Sequence, residues 1–147
     1  MSKIRKLFDG KRKDQNDDEN ETMPLAKTPK DVNDIFSEVT SMLGVLSLDV
    51  FDWQGNVLYS YYRWGKSENI LEEEDLFEVV NYITKRLKKI GQKELKHLII
   101  KSEDMNIVVY STDKIITIIH CETRIKLALL AIQAKRATLK LSKLLID

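Results

Sequence analysis

Residues 44–64 read Gly-Val-Leu-Ser-Leu-Asp-Val-Phe-Asp-Trp-Gln-Gly-Asn-Val-Leu-Tyr-Ser-Tyr-Tyr-Arg-Trp, and the fold turns on how this stretch is read. It predicts two β-strands folded back across Asp52-Trp53-Gln54-Gly55-Asn56. Leu46, Leu48 and Val50 fall on one face of the first strand, and Val45, Ser47, Asp49 and Phe51 on the other. The second strand, 57–64, alternates Val57, Tyr59 and Tyr61 with Leu58, Tyr62 and Trp64. Apolar side chains on both faces require cover on both sides of the sheet. Gly55 supplies a residue that tolerates positive φ, and Asp52 and Asn56 are turn residues whose side chains bond nearby backbone.

Working outward, a helix is expected before this hairpin, over 28–43. Thr28 is its N-cap, Pro29 its first helical residue and Asp31 a short version of the capping-box acid. Val32, Ile35, Phe36, Val39, Met42 and Leu43 form its apolar stripe, and Gly44 ends it. Beyond the hairpin, Ser67-Glu68-Asn69 reads as a loop leading to a second helix over 71–90. Its expected buried side is Leu76, Phe77, Val80, Ile83, Leu87 and Ile90, with Gly91 as terminator. Acids crowd its first turns (Glu72, Glu73, Glu74, Asp75, Glu78) and bases its last (Lys85, Arg86, Lys88, Lys89), which suits the helix dipole.

Three Ile- and Val-rich runs follow, at 95–102, 106–111 and 115–121. They are separated by Glu103-Asp104-Met105 and Thr112-Asp113-Lys114, short enough for antiparallel hairpins. A final helix is expected over 123–145, with Ile125, Leu129, Ile132, Leu139 and Leu144 among its apolar positions. Its charges are basic: Arg124, Lys126, Lys135, Arg136, Lys140 and Lys143.

The element order is thus α-β-β-α-β-β-β-α, an α+β chain with one five-stranded antiparallel sheet and helices on both faces. This order resembles the roadblock family, named for a dynein light chain and shared by bacterial MglB-type polarity proteins and lysosomal Ragulator subunits. The resemblance is carried by Gly44-Val45 entering the first strand and by Asp52-Trp53-Gln54-Gly55-Asn56-Val57-Leu58 at the hairpin. The apolar strands 106–111 and 115–121, running into a long amphipathic helix, extend it over residues 31–145. The longin fold is similar but begins with the hairpin, whereas here a helix comes first. Profilin-like and PAS-like sensor domains are more distant options.

Composition narrows the functional classes. The chain has 147 residues, 43% hydrophobic and 32% charged, which suits one domain plus a polar segment. Its formal net charge of +1 creates no global field toward nucleic acid. Cys121 stands alone, so no internal disulfide framework exists, and one cysteine with two histidines make no Cys/His zinc site. With no apolar run near ~20 residues and no signal-peptide pattern, a cytoplasmic setting is expected. Residues 1–27 are expected to be a flexible charged tail ahead of a domain spanning 28–147. Within the tail, residues 1–13 carry six bases against Asp9, net +5, and residues 14–22 carry five acids and no base, net −5. Ile4, Leu7 and Phe8, at helical spacing among the bases, are candidates for contact with an anionic membrane.

No catalytic constellation emerges, and no enzyme activity or cofactor is expected. His120 and Cys121 are strand neighbours pointing to opposite faces, so they cannot act as a Cys–His pair. Asp52 is read as a turn residue, and Asp49 as a partner for a helix end. No Gly-rich phosphate loop occurs. The aromatic group Tyr59, Tyr61, Tyr62 and Trp64 beside Arg63 and Lys66 is read as core packing ahead of base stacking. A small-ligand sensor is the alternative, with a cavity bounded by Tyr59, Tyr61 and the middle helix.

The roadblock resemblance implies a non-enzymatic homodimer that binds or regulates a small Ras-like GTPase or scaffolds a complex. In that family two copies join through the middle helix and third strand into one continuous sheet. On this chain the corresponding interface residues are Tyr82, Arg86, Lys89, Leu98 and Ile100. Such pairing also answers a physical need, because an uncovered Ile-rich edge strand invites aggregation.

Overall fold

A computed structural model describes residues 29–64, 73–91 and 95–145. The expectations placed on residues 1–27, on the Thr28 cap, on Lys66, on the Ser67-Glu68-Asn69 loop, on the helix start at Leu71 and on Glu72 lie outside the described residues. Among the described residues, eight elements follow the expected order: α1 (Pro29–Thr40), β1 (Val45–Asp52), β2 (Val57–Tyr62), α2 (Glu73–Lys89), β3 (His97–Lys101), β4 (Asn106–Ser111), β5 (Ile115–Cys121) and α3 (Leu127–Leu144). The five strands make one antiparallel sheet in the order β2-β1-β5-β4-β3, which places β5 at the centre and β3 at a border.

The sheet has an apolar layer on each side. On one, Val32, Phe36 and Val39 of α1 and Leu130, Ala134, Ala137 and Leu141 of α3 pack on Leu48, Val50, Val108, Ile115 and Ile119. On the other, Leu76, Phe77 and Val80 of α2 pack on Phe51, Ile107, Val109, Ile116 and Ile118. Each fully buried large side chain contributes about 1.5–3 kcal/mol, so both layers are needed to offset the entropy of ordering the chain.

The hairpin turn forms as the sequence predicts. Gln54 and Asn56 amides both donate to Asp52 Oδ1 at 2.9 Å, and Asn56 Nδ2 donates to Asp52 Oδ2 at 2.9 Å. Gly55 has φ +91°, and Phe77 of α2 lies directly over it. The strands, however, do not alternate evenly. An irregularity between Val50 and Phe51 pairs Val50 with Tyr59 but Phe51 with Val57. Val57 therefore faces α2 while Leu58 and Tyr59 both join the α1/α3 layer.

Several expected boundaries shift. β2 ends at Tyr62, and Trp64 sits exposed in the following turn instead of on a strand face. Leu43 and Ile90, expected on buried helical faces, are exposed because each lies beyond the last regular turn of its helix. The last helix begins at Leu127, later than 123. Its buried face is Leu130, Ala134, Ala137, Thr138, Leu141 and Ser142, while Leu129, Ile132, Leu139 and Leu144 point outward. Small residues between Leu130 and Leu141 let α3 sit close to the sheet, and four other large apolar side chains remain outside.

Candidate functional site

The border strand β3 is the candidate interface. It is five residues long and pairs only with β4 among the described residues, in register from His97↔Tyr110 to Lys101↔Asn106. Leu98 packs half-buried on the α2 layer, and Ile99 and Ile100 are exposed at 37% and 36%. A strand with one unpaired side presents backbone donors and acceptors to whatever lies alongside it. Each such group must find water or a partner.

Helix α2 supplies the neighbouring surface. Its inner side is Leu76, Phe77 and Val80, with Thr84 also buried and donating to the Val80 carbonyl at 2.8 Å. Val79, Tyr82, Arg86 and Ile90 recur at i, i+3, i+7 and i+11 along its outer side. Tyr82 is 64% exposed, and the Arg86 guanidinium lies 6.0 Å from its ring centroid. Of the five interface residues implied by the resemblance, Tyr82, Arg86 and Lys89 are exposed on α2. Leu98 and Ile100 share one face of β3, the face on which α2 packs. Val79, exposed on the same helix, and Ile90, just past its end, were not singled out from sequence, because periodicity alone assigned Ile90 to the core.

The polar candidates resolve into structural partnerships. Asp49 is buried and accepts from Ser60 Oγ at 2.7 Å and Tyr62 Oη at 3.0 Å, two partners across the strand pair. Ser47 Oγ and His120 Nδ1 are 3.0 Å apart, and His120 Nε2 has no hydrogen-bond partner. Burial holds the His120 pKa below its ordinary value, so the imidazole is neutral near pH 7. Cys121, on the opposite face, is fully buried with its thiol pushed up to about 11 by desolvation, which removes thiolate character. Among the described residues, no group of three or more His, Cys, Asp or Glu is placed to hold a metal ion.

The aromatic stretch separates into different roles. Tyr59 stacks on Phe36 of α1 with centroids 5.7 Å apart, and burial raises its pKa to about 12. It therefore lies on the sheet face opposite α2, and a cavity bounded by Tyr59, Tyr61 and the middle helix cannot form. Arg63 carries a role that sequence reading missed. Its Nε donates to the Val45 carbonyl at 2.7 Å, and Nη2 to the Thr40 and Met42 carbonyls at 2.8 and 2.7 Å, satisfying groups at the end of α1.

One groove of about 740 Å³ lies between α3 and the β3–β4 pair, lined by Lys96, His97, Tyr110, Ser111, Thr112, Asp113, Lys135, Thr138 and Leu139. The His97 and Tyr110 rings stack at 5.4 Å along it. Among the described residues, no helix is long and apolar enough to cross a membrane.

No protein-family sequence model matches this chain, and no curated protein matches it in sequence. Solved structures do. The gliding protein MglB of Thermus thermophilus is similar at 15% identity with a TM-score of 0.66, over 79% of this chain and 89% of that one. MglB of Myxococcus xanthus is similar at 16% identity and TM-score 0.66, over 78% and 94%. A Roadblock/LC7 domain from Streptomyces avermitilis is similar at 8% identity and TM-score 0.60, over 76% and 94%. The chain therefore has the roadblock fold.

Proposed function

We propose that this chain is a non-enzymatic interaction module that pairs with a second copy of itself and binds or regulates a small Ras-like GTPase, alone or within a scaffolded complex. The observation that carries the reading is the exposed β3 edge beside the apolar outer side of α2. Antiparallel union of two β3 strands would satisfy the border backbone and bring Ile100 and the Tyr82–Arg86 pair toward the other copy. A structurally similar MglB is described in a tetrameric arrangement, which supports self-association as a property of this fold. The GTPase follows from the roadblock resemblance, and the setting is cytoplasmic.

Light scattering on the purified chain tests the pairing: a mass near twice 17.1 kDa is expected, and 17.1 kDa at micromolar concentration would remove it. Pull-down against small GTPases loaded with GDP or GTP tests the partner. Recovery of none of them in either nucleotide state would count against the regulator role.

A further inference from the structure

We propose that the acidic run at residues 14–21 of this chain seats in the groove between α3 and the β3–β4 pair, on the basic and apolar outer face of α3. This goes beyond the reading above and does not depend on a GTPase or on a dimer.

The face is unusual for an exposed helix. Leu129, Ile132 and Leu139 are 44%, 54% and 42% exposed and alternate with Lys135, Arg136, Lys140 and Lys143. No acidic side chain occurs between residues 123 and 145, so the bases have no carboxylate on their own helix. Lys96 and Lys135 line the groove beside that face, with Asp113 as its single acid. The matching charge exists in this same chain, as Asp14, Asp17, Asp18, Glu19 and Glu21 without an intervening base.

Chain geometry delivers that run to the groove. Gly44, just past the end of α1, lies beside Ile125, just before the start of α3, so α1 ends and α3 begins at one corner of the sheet. Further along, Phe36 stacks on Tyr59, which pairs with Val50, while Thr138 meets Thr117 on the other side of the same residue. Pro29 therefore begins α1 at the end of the sheet where Ser142 reaches Thr112. The groove opens at that end too, since Thr112 and Asp113 line it. Crossing one helix needs about 10 Å. Residues 21–29 span roughly 26 Å when extended, and the run beyond them reaches as far as the roughly 27 Å length of α3. Tethering raises the local concentration of the run to the millimolar range, which favours it over a free acidic partner of equal chemistry.

Carbodiimide cross-linking with mass-spectrometric mapping tests this on the full chain, using a mixture of isotope-labelled and unlabelled protein. Links from residues 14–21 should concentrate at Lys96, Lys135, Lys140 and Lys143, several-fold over the exposed Lys88 and Lys101. They should vanish in about 1 M salt, where the Debye length falls to about 3 Å. Reversing the exposed charges, Lys135→Glu with Lys140→Glu, should abolish them without unfolding the domain, as a circular-dichroism melt would verify. Links spread evenly over all lysines would overturn the proposal. Links joining labelled to unlabelled chains would overturn it in favour of a second copy. Vesicles of phosphatidylcholine and phosphatidylserine supply the remaining control. Equal flotation by the full chain and by a variant with the five acids changed to Asn or Gln would assign the face to lipid and overturn the contact.

Discussion

Arg63 Nη2 donates to the Thr40 carbonyl at 2.8 Å, tying the residue after β2 to the end of α1. The same guanidinium reaches Met42 and Val45, so one side chain serves three carbonyls between α1 and β1. Hydrogen bonds from a charged donor are worth about 1.5–3 kcal/mol, and three on one group are not additive. Arg63→Ala should lower unfolding free energy by roughly 2–3 kcal/mol. Arg63→Lys should recover less than half of that, because an ammonium lacks the planar fork. Urea unfolding followed by circular dichroism measures both.

His120 predicts an acid limb in stability. Its pKa is lowered by burial, so below pH 6.5 the unfolded chain takes up a proton that the folded chain refuses. The contribution is fully present above pH 6.5 and is lost as pH falls from there toward the folded value. The slope from this one group cannot exceed about 1.4 kcal/mol per pH unit. The urea midpoint should fall between pH 7.5 and 5, and His120→Asn should flatten that part of the curve.

Gly44 is held at φ +99° with an added Cβ only 3.3 Å from Ile125 Cγ1. Gly44→Ala combines a disfavoured backbone with a close contact and should cost about 1–2 kcal/mol. Gly91, at φ +87° with open space around it, should show the backbone penalty alone. Thermal melts of Gly44→Ala and Gly91→Ala separate the two contributions.

The β3 border gives a prediction about mass. Ile100→Lys places a charge on the exposed edge, a device by which edge strands avoid pairing. It should convert a 34 kDa species, twice 17.1 kDa, into one of 17.1 kDa while leaving the far-ultraviolet spectrum unchanged. Sedimentation of the variant beside the parent chain provides the check.

Much of the architecture was legible because period-2 and period-3.6 apolar patterns are strong where both faces of a sheet are covered. β4 and β5 fall on the residues expected from sequence, and the Asp52 turn closes through the side chains expected of it. Errors gathered where a local rule met a tertiary one. Periodicity counted Leu43 and Ile90 into apolar faces, but each falls where its helix has already unwound. The even alternation assigned to β2 missed the irregularity at Val50 and Phe51, which one strand's sequence cannot reveal because it belongs to the pairing. For α3, the expected apolar positions Leu129, Ile132, Leu139 and Leu144 point outward, while Leu130, Leu141, two alanines and Thr138 make the contact. The candidate surface was less legible. Tyr82 and Arg86 appear together on α2, but exposure of Val79 depends on how that helix is rolled on the sheet.

Buried Ser47, Asp49 and His120, with half-buried Ser60 and Tyr62, act as a key for strand alignment. Asp49 sits opposite Ser60, and Ser47 opposite both Tyr62 and His120. Sliding β1 by two residues would keep side chains on their proper faces, so greasy contacts alone would barely object. It would, however, carry a carboxylate away from the hydroxyls that solvate it and into hydrocarbon, a penalty of several kcal/mol. Misaligned or strand-exchanged pairings of β1 are thereby disfavoured from within, while the outer sides of the border strands β2 and β3 carry no such lock.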